Sequence, residues 1–276
     1  MSGPPRLSGV PETMLLTLYH RAAETARPDR LFRDDFAVRF LEGIDHDVAP
    51  FDDWRMRWVV PVRTWLIDAV VRGFLERRPD ATVVTVGAGL CARSLRLDNG
   101  RAHWWSVDLD VVRPYWHDLI GDSARNRFVA GSVTDSAWLE QIVAEAGTGA
   151  VLVVAEGVLH YLPVAQAQGV VRSLRDALPG AELVLDVVGP VTLKFAGRNP
   201  ALAATGSTYR WAVADCAELT SWAADVDLLG QWYLSDYCPD RQRHLAELPR
   251  LFGGKGALEK VAHLRLGVSA PAPAGG

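Results

Sequence analysis

A short apolar strand that breaks into two glycines, followed by a second strand that ends in an acid, limits this chain to few folds. Residues Thr82–Val86 read TVVTV and run into Gly87-Ala-Gly89. The next predicted strand, Ala102–Val107, is followed at once by Asp108, 19 positions after Gly89. Glycines let a backbone turn tightly and approach a ligand closely, and an acid at about this spacing can hydrogen-bond both ribose hydroxyls. The pattern predicts a site for an adenosine-containing cofactor.

The residues after the two glycines indicate which adenosine cofactor this is. A dinucleotide-binding turn carries a third glycine, which lets the following helix pack closely and face a pyrophosphate. Here residues 90–94 read Leu-Cys-Ala-Arg-Ser, without that glycine. Because S-adenosylmethionine (SAM) has no phosphates, it does not need such a turn. The sequence therefore favours SAM.

Predicted strands and helices alternate after Asp108. Strands are expected at Arg127–Ala130, Val151–Ala155 and Glu182–Val188, and helices at Val111–Ile120, Ser136–Ala144 and Pro163–Leu178. Such alternation forms a parallel sheet with right-handed crossovers. Two further strands, Val226–Trp232 and Val261–Leu266, are expected to pair antiparallel at its edge. The predicted fold class is α/β, a doubly wound, mostly parallel, seven-stranded Rossmann-like sheet with an N-terminal helical cap and an antiparallel edge pair.

The cap is predicted from helical patterns that precede the first strand. Pro11–Thr25 and Phe36–Glu42 are expected to be helices. A third helix is expected to begin with Pro61 in its first turn and to end near Pro79, because apolar residues recur at helical spacing from Pro61 onwards. The predicted organisation is a disordered N-terminus at 1–9, a helical cap at 10–80, a cofactor-binding core at 81–268 and a disordered tail at 269–276.

Polar side chains stand where the later strands end. Ser132–Asp135, Glu156–Tyr161 and Asp186–Pro190 each follow or end a predicted strand. In doubly wound sheets the ligand lies outside the carboxyl ends of the strands. These segments are therefore expected to line the same site as the glycine turn.

Composition narrows the functional classes. The 276 residues are 49% hydrophobic and carry a net charge of −4, which suits a folded core and argues against nucleic acid as a partner. The three cysteines form no CxxC pair and the seven histidines no HxxxH pair, so no metal is expected. Neither a leader nor an apolar run of about 18 residues is present, which predicts a cytoplasmic protein without a membrane partner. The expected partner is a small-molecule substrate, and the oligomeric state is left open.

Several motifs of the chain resemble the leucine carboxyl methyltransferase family, in particular its bacterial branch of polyketide-type O-methyltransferases. The resemblance covers about residues 10–266 and implies a class I SAM-dependent methyltransferase fold. The pairing of GAGLxxR with AEGVLxYL is much more specific than Gly-x-Gly alone. The matching stretches are VPETMLLTLYHRA (10–22), VTVGAGLCAR (84–93), WSVDL (105–109), VVAEGVLHYL (153–162), PGAELVLD (179–186), YRWAV (209–213) and LGQW (229–232).

The resemblance implies a role for each residue of the glycine turn and the neighbouring strand ends. Gly87 and Gly89 would pass beneath the methionine part and the ribose of the cofactor. Asp108 would hold the ribose hydroxyls, and Ser132 and Val133 would flank the adenine.

Two charged residues complete the cofactor site that the resemblance implies. Glu156 matches the family's cofactor-binding acid, a partner for the methionine ammonium. Arg63 matches the arginine that meets the methionine carboxylate.

Two positions of the chain depart from the family pattern. The family usually has an acid where Cys91 stands and commonly has methionine where His160 stands.

His160 is the candidate catalytic residue. An imidazole with an ordinary pKa near ~6.5 is suited to take the proton of a phenol or enol, whereas a carboxylate acceptor is already ionised and needs no base. The candidate substrate-binding residues are aromatic side chains or histidines on the first helix and near the fourth and fifth strands: Tyr19, His20, Tyr161, Tyr209 and Trp211.

The sequence therefore predicts a SAM-dependent O-methyltransferase that acts on a hydroxyl of a small aromatic or polyketide-like metabolite. Three alternatives remain open at this point. They are a carboxyl O-methyltransferase, a methyltransferase-fold enzyme repurposed for a reaction such as cyclisation, and a non-catalytic SAM-binding protein.

Overall fold

A computed structural model describes residues 13–43, 47–53, 55–147, 149–204, 206–238, 240–241 and 254–267. The two segments predicted to be disordered, 1–9 and 269–276, lie outside these described residues.

The described strands form one seven-stranded sheet. They are β1 (Thr82–Val86), β2 (His103–Asp108), β3 (Asn126–Ala130), β4 (Val151–Ala155), β5 (Ala181–Val187), β6 (Val226–Tyr233) and β7 (Lys260–Leu266). Their spatial order is β3-β2-β1-β4-β5-β7-β6. β1 to β5 pair in parallel, and β7 runs antiparallel to both β5 and β6. The doubly wound sheet with an antiparallel edge pair is confirmed.

Helices precede the sheet, connect its strands and follow β5. The helices before the sheet are α1 (Thr13–Thr25), α2 (Asp35–Gly43) and α3 (Met56–Arg77). The connecting helices are α4 (Arg93–Leu97), α5 (Arg113–Leu119), α6 (Ala137–Ala146) and α7 (Val164–Ala177). Two short helices, α8 (Pro190–Phe195) and α9 (Pro200–Ala204), follow β5. Short 3-10 helices cover Ala49–Phe51, Asp110–Val112, Leu159–Tyr161, Ala196–Arg198, Cys216–Trp222, Leu234–Asp236 and Lys255–Ala257.

The sheet separates two hydrophobic cores, and the residues of β4 show why. All five of its side chains, VLVVA, are buried. Successive residues of a strand point to opposite faces. Leu152 and Val154 therefore pack with α1, α3 and α5 on one face, while Val151 and Val153 pack with α6 and α7 on the other. A strand that is apolar throughout is what a central parallel strand requires.

The helix before β1 begins earlier than the sequence predicts. Pro61 was expected in its first turn, but α3 starts at Met56 and Pro61 lies inside it. A proline inside a helix removes one backbone hydrogen bond. Trp58 and Val59, in the turn before the proline, are buried in the core, and this burial offsets the loss.

Gly189, just after β5, is one of the closest backbone contacts in the fold. A Cβ atom there would lie 2.2 Å from the carbonyl carbon and oxygen of Ala257. We expect Gly189→Ala to lower the free energy of unfolding by about 1–3 kcal/mol, because backbone must move to admit the methyl group. Gly197→Ala is the control, since a methyl group there meets no described atom within 4 Å. Urea denaturation measures both variants, and equal losses of stability would contradict the prediction.

Candidate cofactor and acceptor site

A cavity of about 230 Å³ lies outside the carboxyl ends of β1 to β4. Side chains of α1 and α3 form its opposite wall. This is where ligands bind in doubly wound sheets. The cavity is lined by every residue predicted from the sequence to bind the cofactor: Arg63, Gly87, Gly89, Asp108, Ser132, Val133 and Glu156.

The glycine turn after β1 leaves no room for side chains. Gly87 and Gly89 have φ angles of +58° and +49°, in the left-handed region that favours glycine. A Cβ atom on Gly87 would lie 2.3 Å from Cγ2 of Val158, and one on Gly89 would lie 2.8 Å from Cβ of Met14. The turn is thus held between α1 and the loop after β4, with its backbone facing the cavity.

Asp108 fastens this turn to the end of β2. The backbone N–H of Gly89 donates to Oδ2 at 2.6 Å, and that of Leu109 donates to Oδ1 at 2.7 Å. Burial raises the pKa of the Asp108 carboxyl, and the two hydrogen bonds oppose that shift. Each carboxylate oxygen accepts more than one hydrogen bond. Asp108 therefore still has lone pairs for the hydroxyls of a ribose.

Glu156, just after β4, is held by three donors. Its Oε1 accepts from Arg63 Nε at 3.1 Å and from the Thr64 hydroxyl at 2.8 Å. Its Oε2 accepts from Arg93 Nη2 at 2.6 Å. Burial alone would raise the pKa of Glu156, but the Arg93 and Arg63 guanidinium groups hold it well below its usual range. The carboxylate is therefore ionised and fixed in orientation.

Arg63, a residue of the cavity lining, has one donor that the described residues leave unused. Its Nη1 donates to Asp186 Oδ2 at 2.8 Å, and its Nε binds Glu156. Its Nη2 is buried and has no hydrogen-bond partner in the described part of the chain. A buried guanidinium nitrogen without a partner is costly, and a ligand carboxylate would satisfy it. The site therefore fits the carboxylate and ammonium of a bound methionine moiety.

Glu156 and Arg63 belong to a continuous series of buried ion pairs, which we call the ion-pair chain. Its successive N–O distances lie between 2.6 and 3.1 Å. Acids and arginines alternate along it, so its formal charges cancel. Its members, in order, are Asp186, Arg63, Glu156, Arg93, Asp68, Arg96, Asp34 and Arg21.

Two of the predicted substrate residues, Tyr161 and Tyr209, line the cavity. Their ring centroids are 5.5 Å apart. Burial raises the pKa of Tyr161 to about 12 and also raises that of Tyr209. Both hydroxyls are therefore protonated at neutral pH and serve as hydrogen-bond donors.

His160 does not reach the cavity wall. Its side chain is buried behind the two tyrosines, with its ring centroid 4.4 Å from that of Tyr161 and 4.9 Å from that of Tyr209. Its Nδ1 is 3.8 Å from Asp186 Oδ2. Burial lowers the pKa of His160, so the imidazole is neutral. The role of His160 as a base stays a prediction that this placement does not favour.

Three other predicted substrate residues also lie away from the cavity lining. His20 Nε2 is 3.0 Å from the carbonyl oxygen of Phe51, and burial lowers the pKa of His20 to about 4. Tyr19 packs edge-on against His20. Trp211 Nε1 donates to the carbonyl of Leu159 at 2.8 Å, within the hydrophobic core on the α6 and α7 face of the sheet. Acceptor contact by these three residues stays a prediction.

The sequence analysis did not identify the apolar part of the cavity lining. Helical periodicity shows which residues face inward, but it does not distinguish a core from a cavity wall. The missed residues come mainly from α1, α3 and α9, with one leucine after β4: Met14, Leu16, Met56, Val59, Val60, Leu162 and Leu202.

Comparison with known sequences settles the family. Residues 14–175, more than half of the chain, match the leucine carboxyl methyltransferase family. The chain belongs to that family. It is 32% identical over 236 residues to the tetracenomycin polyketide synthesis O-methyltransferase TcmP of Streptomyces glaucescens, covering 84% of this chain and 85% of that protein. It is 26% identical to the S-adenosyl-L-methionine-dependent methyltransferase dpfgK of Gibberella zeae, covering 77% and 78%.

Solved structures agree on the fold. A DUF574 family protein from Streptomyces avermitilis superposes with a TM-score of 0.57 at 14% identity, covering 92% of this chain and 96% of that one. A SAM-dependent methyltransferase from Anabaena variabilis gives a TM-score of 0.50 at 14% identity, covering 73% and 85%. The family and the sequence relatives show that the chain is a SAM-dependent methyltransferase and that SAM is its cofactor.

Within the described ranges, no helix is long and apolar enough to cross a membrane.

The glycine turn of this methyltransferase gives a direct test of the site. We expect Gly87→Ala to weaken binding of S-adenosylhomocysteine about tenfold or more, because the methyl group meets Val158 in a backbone that faces the ligand. Gly100→Ala is the matched control: its φ is +80°, but a methyl group there meets no described atom within 4 Å. It should cost about 1–2 kcal/mol of stability and leave affinity unchanged. Calorimetric titration that finds equal affinity for both variants would contradict the assignment.

Proposed function

We propose that this methyltransferase transfers the methyl group to an oxygen of a small, largely apolar, aromatic or polyketide-like acceptor, and that the reacting oxygen belongs to a carboxylate. The observation that carries the choice of oxygen is that none of the described carboxylates and tyrosines of the lining is placed to act as a base. The relation to TcmP supports an acceptor of the polyketide type.

The cofactor assignments follow the polar groups along the strand ends. We assign Asp108 to the ribose hydroxyls and the segment Ser132–Val133 to the adenine. Glu156 receives the methionine ammonium, and the unpaired Nη2 of Arg63 receives the methionine carboxylate. Gly87 and Gly89 bring backbone close to the ligand between these contacts. SAM supplies a methyl group that is already activated by its sulfonium.

The acceptor then occupies the remaining, apolar end of the cavity. Met56, Val59 and Leu202 face this space, and Tyr161 and Tyr209 line it with their hydroxyl-bearing rings. Apolar walls exclude water and suit an aromatic molecule. The tyrosine hydroxyls orient the reacting oxygen, and orientation is what an in-line displacement needs most from the protein.

The state of the ionisable groups favours a carboxylate acceptor. Among the described residues of the lining, Glu156 is held by three donors and its pKa is lowered. Tyr161 and Tyr209 keep their protons, and Asp108 is engaged with the glycine turn. A phenol would have to lose its proton to such a group, whereas a carboxylate is ionised above about pH 5 and needs none.

One observation supports the hydroxyl alternative. His160 packs against the rings of both Tyr161 and Tyr209, so a base route for a hydroxyl acceptor would end on a neutral imidazole one side chain behind the cavity wall. This route requires a tyrosine hydroxyl to act as the intermediate carrier. The variant His160→Met distinguishes a hydroxyl acceptor, which needs a base, from a carboxylate acceptor, which does not.

Localisation is a further part of the proposal. Cys91, Cys216 and Cys238 are all free thiols in the structure. Free cysteines without a disulfide are typical of reducing compartments. We therefore place the enzyme in the cytoplasm.

We expect the methylation rate of an aromatic carboxylic acid, at saturating SAM, to be flat between about pH 6 and 9 and nearly unchanged in His160→Met. The matched phenol should react far more slowly. Steady-state rates with both acceptors across that pH range provide the test. A preference for the phenol, with a rate that rises with pH and is lost in His160→Met, would establish the hydroxyl function instead.

Leu202, on α9, is buried at the acceptor end. We expect Leu202→Ala to raise the KM for the acceptor about tenfold, because it removes apolar wall, while SAM affinity stays the same. Val170→Ala on α7, buried in the core on the opposite face of the sheet, is the control. An increase in the KM for SAM rather than for the acceptor would refute the assignment of Leu202 to the acceptor.

A further inference from the structure

We propose that Arg93 and Asp68 are positioning residues for cofactor binding: Asp68 aims Arg93, and Arg93 holds Glu156 in the orientation that meets the methionine ammonium. The inference rests on the proposed function, in which Glu156 receives that ammonium. Neither residue was assigned a role from the sequence.

Arg93 lies at the first residue of α4 and has every nitrogen engaged. Its side chain is 1% exposed. Its Nη2 donates to Glu156 Oε2 and its Nε to Asp68 Oδ1, both at 2.6 Å. Its Nη1 is 3.3 Å from the sulfur of Cys91. A planar guanidinium held at three points has one orientation, so the direction of the donor to Glu156 is fixed.

Asp68 fixes Arg93 from the opposite side. It lies on α3, its side chain is 0% exposed, and it does not line the cavity. Its Oδ1 accepts from Arg93, and its Oδ2 accepts from Arg96 Nη2 at 2.9 Å. Asp68 has no described contact with Glu156 or with the cavity. Its described link to Glu156 runs through Arg93.

The charges around Glu156 explain why this support matters. Glu156 contacts Arg63 of α3 and Arg93 of α4. Asp186 of β5 and Asp68 of α3 are linked to it only through those two arginines. Burial pushes the pKa of Glu156 up, and Arg93 followed by Arg63 pulls it down. Without Arg93 the pKa rises. The carboxylate binds an ammonium and the protonated acid does not, so affinity is then lost as the pH falls.

The experiment is calorimetric titration with S-adenosylhomocysteine, which carries the same ammonium and carboxylate, at several values between about pH 5 and 8. The variants are Arg93→Gln, Arg93→Lys and Asp68→Asn. Asp34→Asn is the matched control, because Asp34 is also 0% exposed and also pairs with two arginines, but it lies further along the ion-pair chain. Circular dichroism establishes that each variant is folded.

We expect Arg93→Gln and Asp68→Asn to raise the Kd about tenfold or more at neutral pH, the loss of a hydrogen bond between charged groups. The ratio of the Kd of Arg93→Gln to that of the wild type should grow towards pH 5, whereas the ratio for Asp68→Asn should stay flat, because that variant keeps the positive charge of Arg93. Titration of Asp108 is common to all variants and cancels in this ratio. Arg93→Lys keeps a positive charge, so it should weaken binding but restore the flat ratio. Asp34→Asn should show neither effect.

Glu156→Gln distinguishes a wrong placement of the cofactor ammonium from a wrong positioning role for Arg93 and Asp68. If it binds S-adenosylhomocysteine as the wild type does, the placement of the ammonium on Glu156 is wrong and the inference falls with it. If Glu156→Gln binds weakly but Arg93→Gln and Asp68→Asn behave like Asp34→Asn, the cofactor placement stands and the positioning role is overturned. Should Arg93→Gln fail to fold, Arg93→Lys and Asp68→Asn decide the question.

Discussion

The ion-pair chain from Asp186 to Arg21 is the interaction on which the rest of the structure depends. Burying an isolated ion costs several kcal/mol even after relaxation, so each member needs an opposite charge at close range. Four acids and four arginines alternate, and every member has at least one partner within 3.1 Å. The members come from α1, α3, α4, the loops before α2 and after β4, and β5. The cap helices and the sheet are therefore fixed to each other by charge as well as by apolar packing.

The same constraint shapes the site. Glu156 and Arg63 are both members of the ion-pair chain and residues of the cavity wall. The other members of the ion-pair chain occupy much of the hydrogen-bonding capacity of these two residues, and Nη2 of Arg63 is left without a partner among the described residues. Asp108 also combines a structural role with a place in the cavity wall, since it holds the glycine turn and keeps lone pairs for a ligand. In this enzyme the groups that organise the fold are largely the groups that we propose bind the cofactor.

Local patterns in the sequence were enough to predict the sheet and the polar residues that line the cavity at the strand ends. The apolar runs of β1 and β4 indicated central parallel strands, and the glycines, Asp108 and Glu156 marked the strand ends that border the cavity. The order of the elements also fixed the antiparallel edge pair. These features depend on neighbouring residues, so they are visible in the sequence.

What the sequence could not show is the direction of particular side chains and the pairing of distant charges. His160 and Tyr161 are adjacent, yet the 3-10 helix at Leu159–Tyr161 turns the tyrosine to the cavity and the histidine into the protein. Asp68 reads as an ordinary charge on a helix, and its pairing with Arg93 across 25 positions has no local signal. The burial of the turn before Pro61 depends on tertiary packing, so the sequence alone indicates a helix start at Pro61 rather than at Met56.

The central claim is that the polar groups at the strand ends hold SAM. The most direct measurement is a crystal structure of the protein with S-adenosylhomocysteine. We expect the ribose hydroxyls on Asp108, the ammonium on Glu156 and the methionine carboxylate on Arg63 Nη2, each within about 3.2 Å. A ligand bound in the cavity with Asp108 and Glu156 both beyond hydrogen-bond distance would contradict it.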